Sequence, residues 1–273
     1  MPRILMTGAG GGIGMRLRKL LPAIYPDLVL SDLKPLPDLG KNEKFVVADL
    51  ADLAQVKKAV AGIEGIIHLG GFSVEGPWET ILSANIIGAY NLYEAARQAG
   101  VKRIIFASSN HAFGFYPRKQ TIDTNVQVRP DSRYGVSKAF GEALAAYYAF
   151  KFGIGSLCIR IGNLGERPLD KRRLSIWLET NDLVSLIRIG LEREGLLYEV
   201  VYGASDNKRG WWDNKRARQL GYRPKARSED FAKEVLKAQR NVPPDPVGDY
   251  FQGGTFCSDE FANDFATLKK LKR

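Results

Sequence analysis

The sequence predicts an α/β protein built on a Rossmann-type, doubly wound parallel sheet. Six short runs rich in Ile, Val, Leu and Phe occur before residue 163 and are apolar throughout rather than alternating, as in strands buried on both faces. Stretches with helical periodicity separate these runs, which is typical of strand–helix–strand units. The first run leads directly into the glycine-rich stretch TGAGGGIG. Together these features favour a parallel sheet covered by helices on both sides.

The predicted elements follow one another along the chain at short intervals. The strands are RILMTG (3–8), DLVLSD (27–32), KFVVAD (44–49), GIIHLG (65–70), RIIFAS (103–108) and SLCIRIG (156–162). Helices are expected at 12–21, 52–61, 77–99 and 131–152, and after a looser stretch near 180–193, 213–220 and 228–239. The Pro- and Gly-rich segment that begins at residue 241, NVPPDPVGDYFQGG, is expected to wrap around the body of the protein.

Composition narrows the class of protein. With 45% hydrophobic residues the chain can bury a core, and no apolar run reaches the roughly 18 residues of a membrane span. The net charge of +10 is spread over both halves of the chain, which argues against a nucleic-acid surface and favours attraction of a small anion. Two distant cysteines, two separated histidines and no signal-peptide pattern predict a cytoplasmic protein without a metal site.

The stretch TGAGGGIG lies between a predicted strand and a predicted helix. Glycines let the backbone approach a pyrophosphate, and a helix N-terminus offers free N–H groups and a partial positive charge. The second strand ends in Asp32, which is suited to accept hydrogen bonds from an adenosine ribose and to repel a 2′-phosphate. We therefore predict a site for NAD rather than NADP at the ends of the first four strands. The residues expected to contact the cofactor there are Gly8, Gly11, Gly12, Ile13, Gly14, Asp32, Asp49, Leu50, Leu69 and Gly70.

A helical stretch further along the chain contains RYGVSK, in which Tyr134 and Lys138 are four residues apart and share one helix face. A tyrosine that acts as a base at neutral pH must titrate about three pH units below its reference pKa near 10. A neighbouring ammonium group lowers the pKa of a phenol, so this spacing indicates a Tyr–Lys pair for proton transfer. An ordinary pair of surface residues can have the same spacing. The glycine-rich turn and Asp32, which predict a bound dinucleotide, favour a catalytic role for Tyr134 and Lys138.

The TGxxGxxG turn, the aspartate after the second strand, a serine at the end of the fifth strand and YxxxK together resemble the extended short-chain dehydrogenases/reductases. Members carry a stretch similar to SSNHAFG (108–114) with the catalytic serine five residues before the glycine, which assigns that role to Ser109. The resemblance implies that Ser109 binds the reacting oxygen, that Tyr134 moves its proton, and that Lys138 tunes the tyrosine and holds the ribose. It also implies a cofactor contact at Ile161.

Longer stretches, among them SSNHAFGFY, RPDSRYGVSK, LSIWLETNDLV and VVYGASDNKRGWWDN, resemble the bacterial uronate dehydrogenases nearly end to end. This resemblance implies oxidation of C1 of galacturonate or glucuronate with NAD to an aldarolactone. The partners it implies are a small anionic sugar and further copies of the chain in a homo-oligomer, with neither nucleic acid nor membrane. The residues expected to contact the sugar are Ser73, Ser109, Asn110, His111, Tyr134, Asn163, Arg172 and Phe256.

We expect one structural unit over residues 1–273 with two parts. Residues 1–160 form the predicted NAD-binding core, and residues 161–273 form a small C-terminal region that covers the substrate. A further apolar run, EVVYGA (199–204), predicts a strand near 200 that returns to the sheet.

One position departs from the resemblance, because uronate dehydrogenases carry serine where this chain has Asn163. Asparagine is larger, and the following loop carries Lys171, Arg172 and Arg173, which would suit a phosphate or sulfonate at C6. A 1-dehydrogenase of a 6-phospho- or 6-sulfo-sugar therefore stays open. From another class, a non-catalytic NAD-binding redox sensor also stays open, although a sensor has no need of a base such as Tyr134. A nucleotide-sugar epimerase fits less well, because the C-terminal region is short.

Overall fold

The computed structural model describes residues 2–270 and confirms the predicted fold class. Its main sheet consists of β1 (Ile4–Thr7), β2 (Leu28–Asp32), β3 (Lys44–Val47), β4 (Gly65–His68), β5 (Arg103–Ser109), β6 (Gly155–Ile161) and β9 (Tyr198–Gly203), and a two-stranded sheet consists of β7 (Asn163–Leu164) and β8 (Trp177–Leu178). The main sheet is parallel throughout, in the order β3-β2-β1-β4-β5-β6-β9. The strand order reverses at β1, where sheets of this kind open a crevice for a ligand at their carboxyl edge.

Helices connect the strands. The α-helices are α1 (Gly12–Leu17), α2 (Leu53–Ala59), α3 (Trp78–Ile81), α4 (Gly88–Ala99), α5 (Arg133–Phe152), α6 (Arg173–Ile176), α7 (Thr180–Glu192), α8 (Lys215–Gln219), α9 (Ala232–Ala238), α10 (Thr255–Ser258) and α11 (Phe265–Lys270). Short 3-10 helices lie at Leu21–Ala23, Asn110–Phe113 and Ser228–Phe231, and a π-helical segment lies at Leu82–Ile87. No helix in this range is both long enough and apolar enough to cross a membrane.

Both faces of the sheet are buried over its inner strands, which explains why these strands are apolar throughout. Ile4 and Met6 of β1 pack into one hydrophobic cluster, while Leu5 between them packs into a second cluster. Leu17 of α1 belongs to the first cluster, and Tyr148 of α5 belongs to the second. Successive residues of a strand point to opposite faces, so each apolar run has a core on either side.

Three predicted helices differ from those observed, and the one expected at 228–239 begins as the 3-10 helix Ser228–Phe231 before α9. The helix expected at 12–21 ends at Leu17 and is followed by the 3-10 helix Leu21–Ala23, because Pro22 has no N–H to donate and disfavours the α conformation of the residue before it. The helix expected at 77–99 is divided by the π-helical segment. It ends as predicted at Ala99, where Gly100 adopts the left-handed conformation with φ of 74°.

The C-terminal half contributes the last strand and a segment that returns to the body. β9 pairs with β6 in parallel register. Further on, the N–H of Arg118 donates to the carbonyl of Tyr250 at 2.8 Å, and the N–H of Gly253 donates to the carbonyl of Gly114 at 2.9 Å. These backbone bonds tie the Pro- and Gly-rich segment to the loop after β5. A functional division at residue 160 stays a prediction, and residues 271–273 lie outside the described residues.

A buried ion pair connects α5 to the sheet. Arg160 of β6 donates from Nε to Oε1 of Glu142 at 3.0 Å and from Nη2 to Oε2 at 2.9 Å, and the two side chains are only 4% and 8% exposed. The same Oε1 accepts the hydroxyl of Ser108 at 2.6 Å. The guanidinium of Arg160 also lies over the ring of Phe113, 3.5 Å from its centroid. One carboxylate thereby joins α5, β5 and β6.

Replacement of Glu142 by Gln is expected to lower the free energy of unfolding by about 3–5 kcal/mol, because it leaves the Arg160 charge buried without a partner. Urea unfolding followed by circular dichroism measures the change. The matched control is Glu199→Gln, which breaks the more exposed ion pair with Arg216 and is expected to change stability by no more than about 1 kcal/mol. Equal effects of the two variants would contradict the prediction.

Candidate active site

The turn between β1 and α1 is packed closely against the end of β4. Gly8 has a φ of +70°, and a Cβ there would lie 2.7 Å from the backbone nitrogen of Gly70 and 2.8 Å from the carbonyl carbon of Leu69. A Cβ on Gly14 would overlap the carbonyl oxygen of Gly8. Only glycine at these two positions permits so close an approach of one backbone to another.

Asp32, at the end of β2, supports the outer part of this turn. Its Oδ2 accepts the N–H of Gly10 at 2.8 Å, and its Oδ1 accepts that of Leu33 at 2.7 Å. Gly11 and Gly12 are exposed, and a Cβ on Gly12 would meet nothing within 4 Å. A carboxylate has about four lone-pair sites, so Asp32 retains capacity to accept bonds from a ribose. An open helix N-terminus beside a free acceptor fits the pyrophosphate and ribose of NAD.

The other predicted cofactor residues lie at the carboxyl ends of neighbouring strands. Asp49 follows β3, and its Oδ1 accepts the N–H of Ala51 at 2.9 Å. Leu50 packs against the end of β4, where a Cβ on Gly70 would lie 2.7 Å from Leu50 Cδ1. Ile161 ends β6 directly beside the last residue of β5. These residues share one edge of the sheet, and their contacts with the cofactor stay predictions.

β5 and α5 bring the three predicted catalytic residues together. Ser109 is the last residue of β5, and its Oγ accepts the N–H of His111 at 3.2 Å. Tyr134 and Lys138 lie in the first two turns of α5, which begins after the N-cap Ser132. The hydroxyl of Ser109 lies close enough to the Tyr134 phenol to lower its pKa, and Lys138 Nζ lies 5.5 Å from the centroid of the tyrosine ring.

Burial dominates the titration of this pair. It raises the pKa of Tyr134 to about 12, although the hydroxyl of Ser109 lowers it. Burial also lowers the pKa of Lys138 to about 8. Burial therefore outweighs the lowering of the Tyr134 pKa expected from Lys138, whose ammonium group forms no hydrogen bond with the phenol within residues 2–270. A tyrosinate at neutral pH requires further positive charge beside the phenol.

His111 is held by three other side chains. Its Nδ1 lies 2.7 Å from Oδ2 of Asp131, the ring of Phe256 stacks on it at a centroid distance of 3.8 Å, and Tyr134 meets it edge-on at 6.0 Å. Burial lowers the pKa of His111 even though Asp131 raises it, so the ring is neutral at neutral pH. Within residues 2–270, Nε2 has no hydrogen-bond partner.

Arg172 reaches the same region from the loop before α6. Its Nε donates to the carbonyl oxygen of Gln252 at 2.7 Å. With the amide of Asn110 turned so that every group is satisfied, Arg172 Nη2 donates to its oxygen at 2.8 Å, and the amide nitrogen donates to the carbonyls of Ile161 and Gly162, both at 3.2 Å. Burial lowers the pKa of Arg172 to about 10, which still leaves the guanidinium charged at neutral pH.

Ser73 is exposed and lies in the loop after β4. The loop is tethered on both sides of this residue. Before it, the N–H of Phe72 donates to Oδ1 of Asn85 at 2.7 Å, and after it, Oε2 of Glu75 accepts the N–H of Tyr134 at 3.0 Å. The loop is thereby fastened to the helix that carries the predicted base, and a contact of Ser73 with substrate stays a prediction.

Asn163 lies in β7, opposite Trp177 of β8. Its side chain is half-buried and forms no hydrogen bond with any other residue in the described range. The amide is therefore available to a ligand as donor and as acceptor.

Three residues to which the sequence pattern assigned no role support this site: Asp131, Glu75 and Gln252. The last residue of the motif SSNHAFG is Gly114, and a Cβ there would overlap the Asp131 carboxylate. The glycine of the motif is therefore the one sequence feature that relates to Asp131. Glu75 and Gln252 act through backbone groups of distant segments, and no local pattern predicts such contacts.

The glycine turn and the Ser–Tyr–Lys set at the carboxyl edge of a parallel sheet define an NAD-dependent enzyme of the short-chain dehydrogenase/reductase class. The chain belongs to the NAD-dependent epimerase/dehydratase family, whose model matches residues 4–211. Across residues 2–270, no three His, Cys, Asp or Glu side chains lie close enough together to hold a metal ion.

The chain is similar over most of its length to proteins of known activity. Uronate dehydrogenase from Agrobacterium fabrum is 48% identical over 261 residues, which cover 95% of this chain and 98% of that protein. NAD-dependent glucose-6-phosphate dehydrogenase from Haloferax volcanii is 36% identical over 253 residues, 85% of this chain and 96% of that protein. A crystal structure of a uronate dehydrogenase mutant from Agrobacterium tumefaciens complexed with NAD is 47% identical, with a TM-score of 0.90 over 94% of this chain and 97% of that one.

Replacement of Lys138 by Met is expected to move the rising limb of the pH profile of kcat to higher pH by on the order of one pH unit or more, because loss of the ammonium charge disfavours the tyrosinate and raises its pKa. NADH formation at saturating NAD⁺ and sugar measures the profile. Lys151→Met, at the exposed end of the same helix, is the control and is expected to leave the limb in place. An unmoved limb in Lys138→Met would contradict a role of this lysine in tuning Tyr134.

Proposed function

We propose that this enzyme oxidises C1 of a hexuronate, galacturonate or glucuronate, with NAD⁺ as the oxidant and an aldarolactone as the product. The observation that carries the proposal is Arg172. Its guanidinium is desolvated, pairs with no carboxylate in residues 2–270, and is held by two uncharged oxygens, on Gln252 and Asn110. A partly buried, desolvated charge of this kind is stabilised by a counter-charge, which a substrate carboxylate supplies.

The remaining N–H groups of Arg172 suit a carboxylate in particular. Nη1 is unused, and Nη2 donates one bond to Asn110. A guanidinium presents its donors in a planar fork that matches the two oxygens of a carboxylate. The similarity to uronate dehydrogenase from Agrobacterium fabrum supports the same substrate class.

The residues at the end of β5 and the start of α5 account for proton movement. Tyr134 Oη takes the proton of the C1 hydroxyl, and Ser109 donates a hydrogen bond to the reacting oxygen. Protonated Lys138 stabilises the tyrosinate. When bound, NAD⁺ would supply the acceptor for the hydride of C1, so the products would balance as aldarolactone, NADH and one proton.

The residues that would hold the cofactor are those of the β1–α1 turn, together with Asp32 and the ends of β3 and β4. The carboxylate of Asp32 favours NAD over NADP, because a 2′-phosphate would add a negative charge beside it.

The alternative substrates differ in what they require of the basic loop. In the structure, Arg173 forms an ion pair with Asp170, and Lys171 is exposed, so the three consecutive cations do not converge on one point. A phosphate or sulfonate at C6 would therefore meet Arg172 alone, as a carboxylate would. Because a glucose-6-phosphate dehydrogenase is 36% identical to this chain, glucose 6-phosphate is included among the sugars to be tested.

With NAD⁺, galacturonate and glucuronate are expected to give NADH, while glucose, glucose 6-phosphate and 6-sulfoquinovose give little. Turnover of the phosphate or sulfonate alone would replace the proposed substrate with the alternative.

Tyr134→Phe is expected to lower kcat by about 10²–10⁴-fold while NAD⁺ binding measured by calorimetry persists, and the exposed Tyr147→Phe is the control. A chain that binds NAD⁺ but oxidises none of these sugars would favour the redox-sensor interpretation.

Arg172→Met is expected to raise KM for the uronate about 10- to 100-fold, the equivalent of one lost charge-assisted hydrogen bond or somewhat more. The controls are Lys171→Met and Arg173→Met, which are expected to leave KM near the wild-type value because Lys171 is exposed and Arg173 already has Asp170. Steady-state kinetics with each uronate measures the effect. Equal effects in all three variants would contradict the assignment of the carboxylate to Arg172.

A further inference from the structure

Asp131 has no assigned part in the site, yet its carboxylate lies in a space built for it. Its side chain is 0% exposed. A Cβ on Gly114 or on Gly253 would overlap this carboxylate, so two glycines from separate segments make room for it. Burial of a carboxylate is unfavourable unless hydrogen bonds compensate, and the donors here are His111, Ser132 and, at 3.9 Å, the thiol of Cys257.

The carboxylate of Asp131 determines which nitrogen of His111 carries the proton. A carboxylate only accepts hydrogen bonds, so the contact of 2.7 Å places the hydrogen on Nδ1. The neutral ring then has a lone pair on Nε2, its other nitrogen. Phe256 stacks on the face of the ring and keeps this orientation.

We propose that Asp131 is a positioning residue that holds His111 as the Nδ1–H tautomer, so that Nε2 meets the sugar as a hydrogen-bond acceptor. This inference rests on the proposed function for its substrate. A hydroxyl group can donate to Nε2, whereas a carboxylate oxygen would bring one lone pair against another. The hydroxyl side of the uronate therefore faces His111, and the carboxylate faces Arg172. Asp131 thereby sets the orientation of the sugar without touching it.

Asp131→Asn tests the proposal because Ser132 dictates how the new amide must lie. The Oγ of Ser132 accepts the N–H of Gly135 at 2.9 Å, and its single hydrogen is donated to Oδ1 of Asp131 at 2.8 Å. In Asp131→Asn the amide oxygen is expected to take that position, because Ser132 would otherwise lose the acceptor of its O–H, and the NH₂ group then faces His111. Because NH₂ is a donor, Nδ1 must become the acceptor, and the proton moves to Nε2.

The first readout is the ¹⁵N NMR spectrum of the two imidazole rings, since the chain contains only two histidines. The wild type is expected to show a protonated Nδ1 and an unprotonated Nε2 for His111, and Asp131→Asn the reverse. His68 is the internal reference, because its Nδ1 contacts Thr7 at 2.8 Å, away from Asp131. A wild-type spectrum with the proton on Nε2 overturns the proposal, and this measurement needs neither a variant nor a substrate.

The second readout is steady-state kinetics. Asp131→Asn is expected to raise KM for the uronate about tenfold to a hundredfold with kcat little changed, because the lost bond is made equally before and during reaction. Ser132→Ala is the matched control: it removes the helix cap and one donor to Asp131, keeps the carboxylate, and is expected to preserve both the tautomer and KM. An inverted tautomer with unchanged KM would overturn the role in sugar binding.

The two proposals fail separately. If the wild type oxidises no uronate, the proposed function is wrong, whatever the tautomer of His111. If it oxidises uronates but His111 carries its proton on Nε2, the function stands and the role of Asp131 is wrong.

Discussion

The ion pair between Arg160 and Glu142 controls how the catalytic helix lies on the sheet. Tyr134, Lys138 and Glu142 follow one another at intervals of four on α5 and therefore share one face. The carboxylate of Glu142 is bound by Arg160 of β6 and by Ser108, the neighbour of the predicted catalytic serine. A displaced helix would leave buried charges unpaired, which is strongly unfavourable. The position of Tyr134, the predicted base, relative to the strand ends thus depends on the ion pair that lies one helical turn beyond Lys138.

The sugar side of the site is built differently, from segments that are far apart in the chain. Arg172 is held by the carbonyl of Gln252, and Phe256 reaches His111 because the C-terminal segment returns to the loop after β5. Several of these contacts are hydrogen bonds of backbone atoms, and they are possible because glycines such as Gly253 leave room for neighbouring side chains. The cofactor side, by contrast, consists of turns that directly follow their own strands. The two sides meet at Ser109 and Tyr134.

Most of the fold could be predicted from local pattern. The seven strands of the main sheet lie within one or two residues of the predicted runs, because the inner strands must be apolar on both faces and even the partly exposed edge strand β3 carries a short apolar run. The glycine turn and Asp32 were predictable for the same reason, since strand, turn and acidic residue occur at short intervals. The short elements β7, β8 and α6 were not predicted. They are two to four residues long and depend on contacts with one another, as in the pairing of Asn163 with Trp177.

The sequence by itself determined the parallel sheet and the glycine turn between β1 and α1, and it predicted which residues meet at the candidate site. Only the tertiary structure decided how those residues are supported. Asp131 lies 20 residues from His111, and Gln252 lies 80 residues from Arg172, so no periodicity relates the members of either pair. The titration of Tyr134 likewise follows from its burial, which raises its pKa although Lys138 is one turn away. Patterning along a chain records which residues are buried, whereas desolvation and hydrogen-bond partners arise only when distant segments pack together.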